Sequence, residues 1–129
     1  MTPATPENPA RPPLSMIYIT CGSRDEATTI ARTVVGERLA ACANILGAMR
    51  SVYWWEGQVT EDEETVLILK TTAERVGALT ERVQALHSYD LPCVVEIPLA
   101  GGGNAAYLDW IASETVDARA ADDASQPGK

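Results

Sequence analysis

The sequence predicts an α+β fold of the split β-α-β, ferredoxin-like kind: an antiparallel sheet with helices on one face and a further helix at the C-terminal end. Three observations carry this. The apolar pattern changes period along the chain in the order β-α-β-β-α-β. Ser51-Val52-Tyr53-Trp54-Trp55-Glu56-Gly57-Gln58 sets a short Gly-containing connection between two long apolar runs, which reads as a hairpin. Capping signals stand where the helical spacing begins.

Met16 to Cys21 is short and rich in β-formers, a first strand. Ser23-Arg24-Asp25-Glu26 follows as a capping box, and Ala27, Ile30, Ala31, Val34, Val35 and Leu39 continue at helical spacing. Asn44 to Trp55 is a long second strand, with a bend expected at Gly47. Gln58 to Lys70 is its hairpin partner. Within it Val66-Leu67-Ile68-Leu69 is apolar on both faces, as a central strand is. Thr71-Thr72-Ala73-Glu74 reads as a second capping box, opening a helix through Val76, Leu79, Val83 and Leu86. Ser88 to Pro92 is a loop, Cys93 to Ile97 a fourth strand, and Asn104 the cap of a last helix through Tyr107, Leu108 and Ile111. Adjacent strand residues point to opposite faces, so Trp54 and Trp55 cannot share one core. Another subunit is the expected cover for one of them.

Composition bounds the partners. The chain has 129 residues, 46% of them apolar, enough for one modest domain, assigned to residues 15–116. A formal net charge of −8 argues against nucleic acid or an anionic membrane as partner. Residues 1–14, with five prolines, are read as a disordered leader rather than a signal peptide, and 117–129 as a disordered tail without large apolar residues. Cys21, Cys42 and Cys93 are odd in number and widely spaced. Reduced thiols in a cytoplasmic protein are expected, rather than a disulfide framework.

Five segments, in order, carry a family resemblance. They are Glu37 to Ile45 (with Leu-Ala-Ala-Cys at 39–42), Ser51 to Gly57, Glu64 to Thr72, His87 to Pro92, and Tyr107-Leu108-Asp109-Trp110. Together they resemble the CutA divalent-cation tolerance proteins. The resemblance implies a ferredoxin-like, PII-like homotrimer whose long strands pair between subunits. It also implies non-catalytic tolerance of metal ions, with copper or another divalent ion bound at the strand-one Cys and the His loop, and no metal required for folding. Some members carry two adjacent His in that loop, where this chain has Leu86-His87.

The candidate site residues follow. Cys21 sits just ahead of a helix start, whose dipole would favour a thiolate, a soft-metal ligand; its other reading is a small buried residue at a strand end. His87, the single His, is either a ligand or a loop-tethering residue at a helix end. Cys42 and Cys93 read as packing. Lys70 with Tyr53, Trp55 and Tyr89 would build a cationic, aromatic-walled pocket for a small anion or planar ligand; otherwise Lys70 pairs with Glu64 or Glu74. That pocket supports an alternative function, a PII-like regulatory module binding a small ligand between subunits. Glu61-Asp62-Glu63-Glu64 lacks calcium-loop spacing and reads as a solvated acidic edge. A single His and the absence of G-x-S-x-G argue against a hydrolase triad.

Overall fold

Alternation along the first strand sets the layers. In the computed structural model, which describes residues 11–116, β1 spans Leu14–Cys21 and buries Ile17, Ile19 and Cys21 completely. These meet Leu67 and Leu69 of β3 (Gln58–Thr72) through the register Ile17↔Leu69 and Ile19↔Leu67. Helix α1 (Arg24–Gly36) lays Ala27, Ile30 and Val34 on that face, and α2 (Val76–Leu86) adds Leu79 and Val83. Each fully buried Ile or Leu side chain contributes about 1.5–3 kcal/mol by leaving water. With β2 (Cys42–Trp55) and β4 (Val94–Pro98), the antiparallel sheet has the order β2-β3-β1-β4, so β3 is central as its apolar run predicts.

The hairpin turn is set by backbone chirality. Trp55 pairs with Gln58 across Glu56 and Gly57, which both have positive φ, 49° and 80°. Two such residues make a type I′ turn, whose twist matches the strands and suits Gly. The bend expected at Gly47 is a bulge: the register slips between Leu46 and Met49, and Ala48 takes φ 57°. A Cβ at Gly47 would lie 2.5 Å from the Arg24 guanidinium, so a larger residue there would push the end of that flexible side chain aside.

The sheet's other face is only partly covered. Helix α3 (Ala105–Glu114), capped by Asn104, packs Leu108 and Ile111 against Leu14 at one end. Leu46, Val95 and Ile97, level with Val66, Tyr18 and Met16, stay exposed there. β1 pairs with β3 only from Thr65 to Thr72, so residues 58–64 keep one open edge, where Glu61 to Glu64 lie.

Two sequence expectations are corrected. The leader boundary at residue 14 falls inside the fold: Leu14 is 5% exposed, Ala73 N–H donates to the Pro13 carbonyl, and Arg11 pairs with Asp109 at 2.9 Å. Leu14 is a large apolar side chain, and α3 gives it a place to be buried. Residues 1–10 and 117–129, the rest of the leader and the tail, lie outside the described residues. The second capping box does not form. Thr71 and Thr72 extend β3 opposite Ser15 and Leu14, the Thr71 hydroxyl donates to the Leu39 carbonyl at 2.7 Å, and a short 3-10 turn (Ala73–Arg75) precedes α2. The ladder outcompeted the local side-chain bond.

Candidate functional site

β1 ends, α1 begins and α2 ends at one place, and three chemically able side chains meet there. Ser23 caps α1 by accepting from Glu26 N–H at 3.1 Å, which aims the Glu26 carboxylate back over the turn. Its Oε1 accepts from Gly22 N–H at 3.1 Å and its Oε2 from Ser88 N–H at 2.8 Å. His87 follows α2 with Nδ1 3.9 Å from Glu26 Oε2. Cys21 completes the group: one ligand atom from each of Cys21, Glu26 and His87 lies within 4.8 Å of the others. The structure thus brings together the two residues singled out from sequence and adds Glu26. Its capping-box position was legible, but its reach to Ser88, 62 residues on, was not.

The electrostatics correct one expectation. The Cys21 thiol is not activated by the helix start; burial, with Glu26 and Glu64 nearby, pushes it up to about 12. Desolvation and two carboxylates outweigh a dipole whose terminus already satisfies Glu26. For Glu26 itself burial acts upward, but hydrogen bonds from Ser88 and Gly22 and the neighbouring His87 win and hold the carboxyl below its ordinary value. Tyr89 N–H donates to His87 Nδ1 at 3.1 Å, so the proton of the neutral ring sits on Nε2, which donates to the Thr20 carbonyl at 2.8 Å.

A second feature lies on the open face beside this group. Tyr18, Tyr53, Trp55 and Tyr89 wall an open cleft of about 760 Å³ together with Met49, Asp62 and Glu64. The Tyr53 hydroxyl donates to Asp62, and the Tyr89 hydroxyl to Glu64 at 3.1 Å. Burial first, then Glu64, pushes the Tyr89 phenol up to about 12. Lys70 is not there. It sits opposite Cys42 and Met16, and its Nζ lies 3.2 Å from the Tyr107 hydroxyl and 5.4 Å from that ring's centre. Tyr53, Trp55 and Tyr89 converge as expected, but the cation expected among them is replaced by carboxylates.

The sequence model of the CutA1 divalent ion tolerance protein family matches residues 15–114. This chain belongs to the CutA1 family. The divalent-cation tolerance protein CutA of Thermus thermophilus is 47% identical over 100 residues, 78% of this chain and 96% of that protein. Protein CutA 1, chloroplastic, of Oryza sativa is 43% identical over 103 residues, 80% of this chain; the chain spans only 58% of the rice protein's length. The crystal structure of CutA1 from Oryza sativa superposes with a TM-score of 0.80 at 41% identity, covering 84% of this chain and 98% of that one. The divalent cation tolerance protein from Thermus thermophilus gives 0.77 at 46%, covering 80% and 99%. The ferredoxin-like architecture is therefore that of CutA1 structures.

Within this CutA1 fold the remaining candidates find plain places. Cys42 opens β2, half-buried, with its Sγ 3.8 Å from Asn44 Oδ1. Cys93 precedes β4, and burial pushes its thiol up. In the acidic run, Glu61 meets Arg50 at 3.4 Å while Asp62 and Glu64 take the two tyrosines. Among the described residues no helix is long and apolar enough to cross a membrane.

Proposed function

We propose that this CutA1 protein serves divalent-cation tolerance by binding a metal ion of the copper type, without catalysing a reaction, through Cys21, His87 and Glu26. The observation that carries the reading is the approach of a thiol, an imidazole and a carboxylate to within 4.8 Å. These donor types together suit borderline and soft ions, and three protein donors leave a position for water or a further ligand. The set fits with a penalty. Cys21 must lose its proton, and His87 must give up either the Tyr89 N–H or the Thr20 carbonyl. Uptake is therefore coupled to proton release and to loosening of the loop after α2.

A homotrimer is part of the proposal. Val52, Trp54 and Val59 at the hairpin and Leu46, Val95 and Ile97 on the sheet are exposed, and a neighbouring subunit would cover them. Free Cys21, Cys42 and Cys93 agree with a reducing, cytoplasmic setting. The test is native mass spectrometry during titration with Cu(I), Cu(II) and Zn(II), on wild type, Cys21→Ser, Glu26→Gln and His87→Ala. A single ion per subunit, lost in Cys21→Ser and His87→Ala, supports the assignment; unchanged uptake by both overturns it.

The cleft favours a second reading, a PII-like regulatory module that binds a small ligand at the subunit interface. Its volume is of the size that holds small molecules. A stoichiometric organic ligand with no metal dependence would support that reading over the first.

A further inference from the structure

We propose that Tyr89 is a positioning residue that gates the metal site: its N–H holds the one lone pair of His87 through which an ion would bind, and its hydroxyl, on Glu64, latches that block in place. This rests on the metal-binding reading and decides which bond of His87 gives way. Nδ1 is the ring nitrogen 3.9 Å from Glu26 Oε2, while Nε2 donates to the Thr20 carbonyl at 2.8 Å in a buried contact. A metal-ligating His commonly keeps its second N–H on a carbonyl, which orients the ring and makes the ligating nitrogen more basic. That arrangement is already built here with Nε2 as the donor, so Nδ1 is the ligand atom. Using Nε2 instead would break the buried bond to Thr20.

A neutral imidazole has a single acceptor nitrogen with one in-plane lone pair. The Tyr89 N–H takes it at 3.1 Å, so that bond and an ion exclude each other. Glu26 is not blocked in this way: a carboxylate accepts about four hydrogen bonds, and Gly22 and Ser88 leave it spare lone pairs. The chain forms no helix or strand between Leu86 and Val94, so no backbone ladder fixes the Tyr89 N–H. Its side chain does so, together with the Ser88 N–H on Glu26. The Tyr89 hydroxyl donates to Glu64 of β3 at 3.1 Å, and its ring lies against the His87 ring at 4.7 Å between centres, tilted by 55°. A Cβ at Gly22 would come within 3.2 Å of that hydroxyl, so the Gly, next to Cys21, leaves the latch its space. Each of these contacts is made within one subunit. A latched, blocked state lowers apparent affinity by the fraction of molecules that are open, so releasing the latch raises it.

The test titrates the full chain with Zn(II) against a chromophoric chelator, as wild type, Tyr89→Phe, Tyr89→Ala and Cys21→Ser. Tyr89→Phe keeps the ring but loses the bond to Glu64, so it should bind about fivefold more tightly than wild type, the worth of one hydrogen bond. Tyr89→Ala should bind at least as tightly as Tyr89→Phe. A residue with a merely structural role would move affinity the other way. Nitrogen-15 NMR of the His87 ring gives a second readout: on loading, Nε2 should keep its proton and Nδ1 should become the bound nitrogen. Hydrogen exchange of the Tyr89 amide should quicken on loading. If Tyr89→Ala is misfolded by circular dichroism, Tyr89→Phe decides. Affinity unchanged or weaker in Tyr89→Phe, or an ion seated on Nε2, overturns the gate; loss of uptake in Cys21→Ser alongside it spares the metal reading. No uptake by any form, or full uptake by Cys21→Ser, sinks the metal reading and the gate with it.

Discussion

The His87 ring donates through Nε2 to the carbonyl of Thr20 at 2.8 Å, joining the end of α2 to the last residues of β1. The same ring accepts the Tyr89 N–H through Nδ1. One imidazole therefore spans the strand, the helix end and the following loop, and its side chain is fully enclosed. It lies beside Cys21 and Glu26, so the proposed ligand is also a clip, and metal uptake and local order share one residue.

His87→Ala should cost about 2–4 kcal/mol. It leaves the buried Thr20 carbonyl without its donor and opens space where the ring was. A fall in melting temperature of several degrees is expected. A variant melting like wild type would mean that the Thr20 carbonyl finds another donor and the clip is dispensable.

Cys21 should resist alkylation in the native protein near pH 8. Its side chain is 0% exposed and its thiol is raised to about 12, so almost no thiolate is present. Peptide mass mapping after iodoacetamide should find Cys42 modified first, because its side chain reaches the surface, and Cys21 modified only once guanidinium unfolds the chain. Rapid native labelling of Cys21 would contradict both its burial and its protonation state.

Glu26 should contribute to acid stability. Its carboxyl is held below its ordinary value in the fold, so its contribution is complete above the unfolded pKa of about 4.3 and is lost as pH falls through the lower folded value. Glu26→Gln keeps one acceptor oxygen, for either Gly22 or Ser88, and cannot titrate. Melting temperatures measured from about pH 6 down to pH 3 should fall less steeply for Glu26→Gln than for wild type. Parallel curves would show that the hydrogen bonds from Ser88 and Gly22 do not favour the ionised form.

Much of this fold could be read in the chain because local signals and global packing agree. Glu56-Gly57 made the turn, Ser23 and Asn104 made the caps, and Val66 to Leu69 marked the central strand. The errors have physical causes. Thr71 and Thr72 carry a cap-like spacing, but strand pairing with Ser15 and Leu14 claimed them first. Lys70 was grouped with the aromatics by adjacency of motifs, yet it lies six steps along the strand from Glu64, roughly 20 Å at about 3.3 Å per residue. Glu26 was visible only as half of a cap; its bond to Ser88 depends on α2 returning beside β1, which no local pattern encodes.

Trp54 offers the sharpest test of assembly. It is 73% exposed on the single chain, against 45% for Trp55, and both rings border the cleft. A side chain that exposed has little to lose within its own subunit, and surface substitutions of this kind usually change stability by less than about 0.5 kcal/mol. If a neighbouring subunit covers the hairpin, Trp54 is instead an interface aromatic, where truncation commonly costs 2 kcal/mol or more, roughly thirtyfold in association. Trp54→Ala should therefore lower the subunit count seen by light scattering on dilution, and lower the melting temperature in a concentration-dependent way. Trp54→Phe should recover much of both. A Trp54→Ala protein that keeps wild-type mass and melting temperature at every concentration would place this ring in solvent and remove the hairpin from the proposed trimer interface.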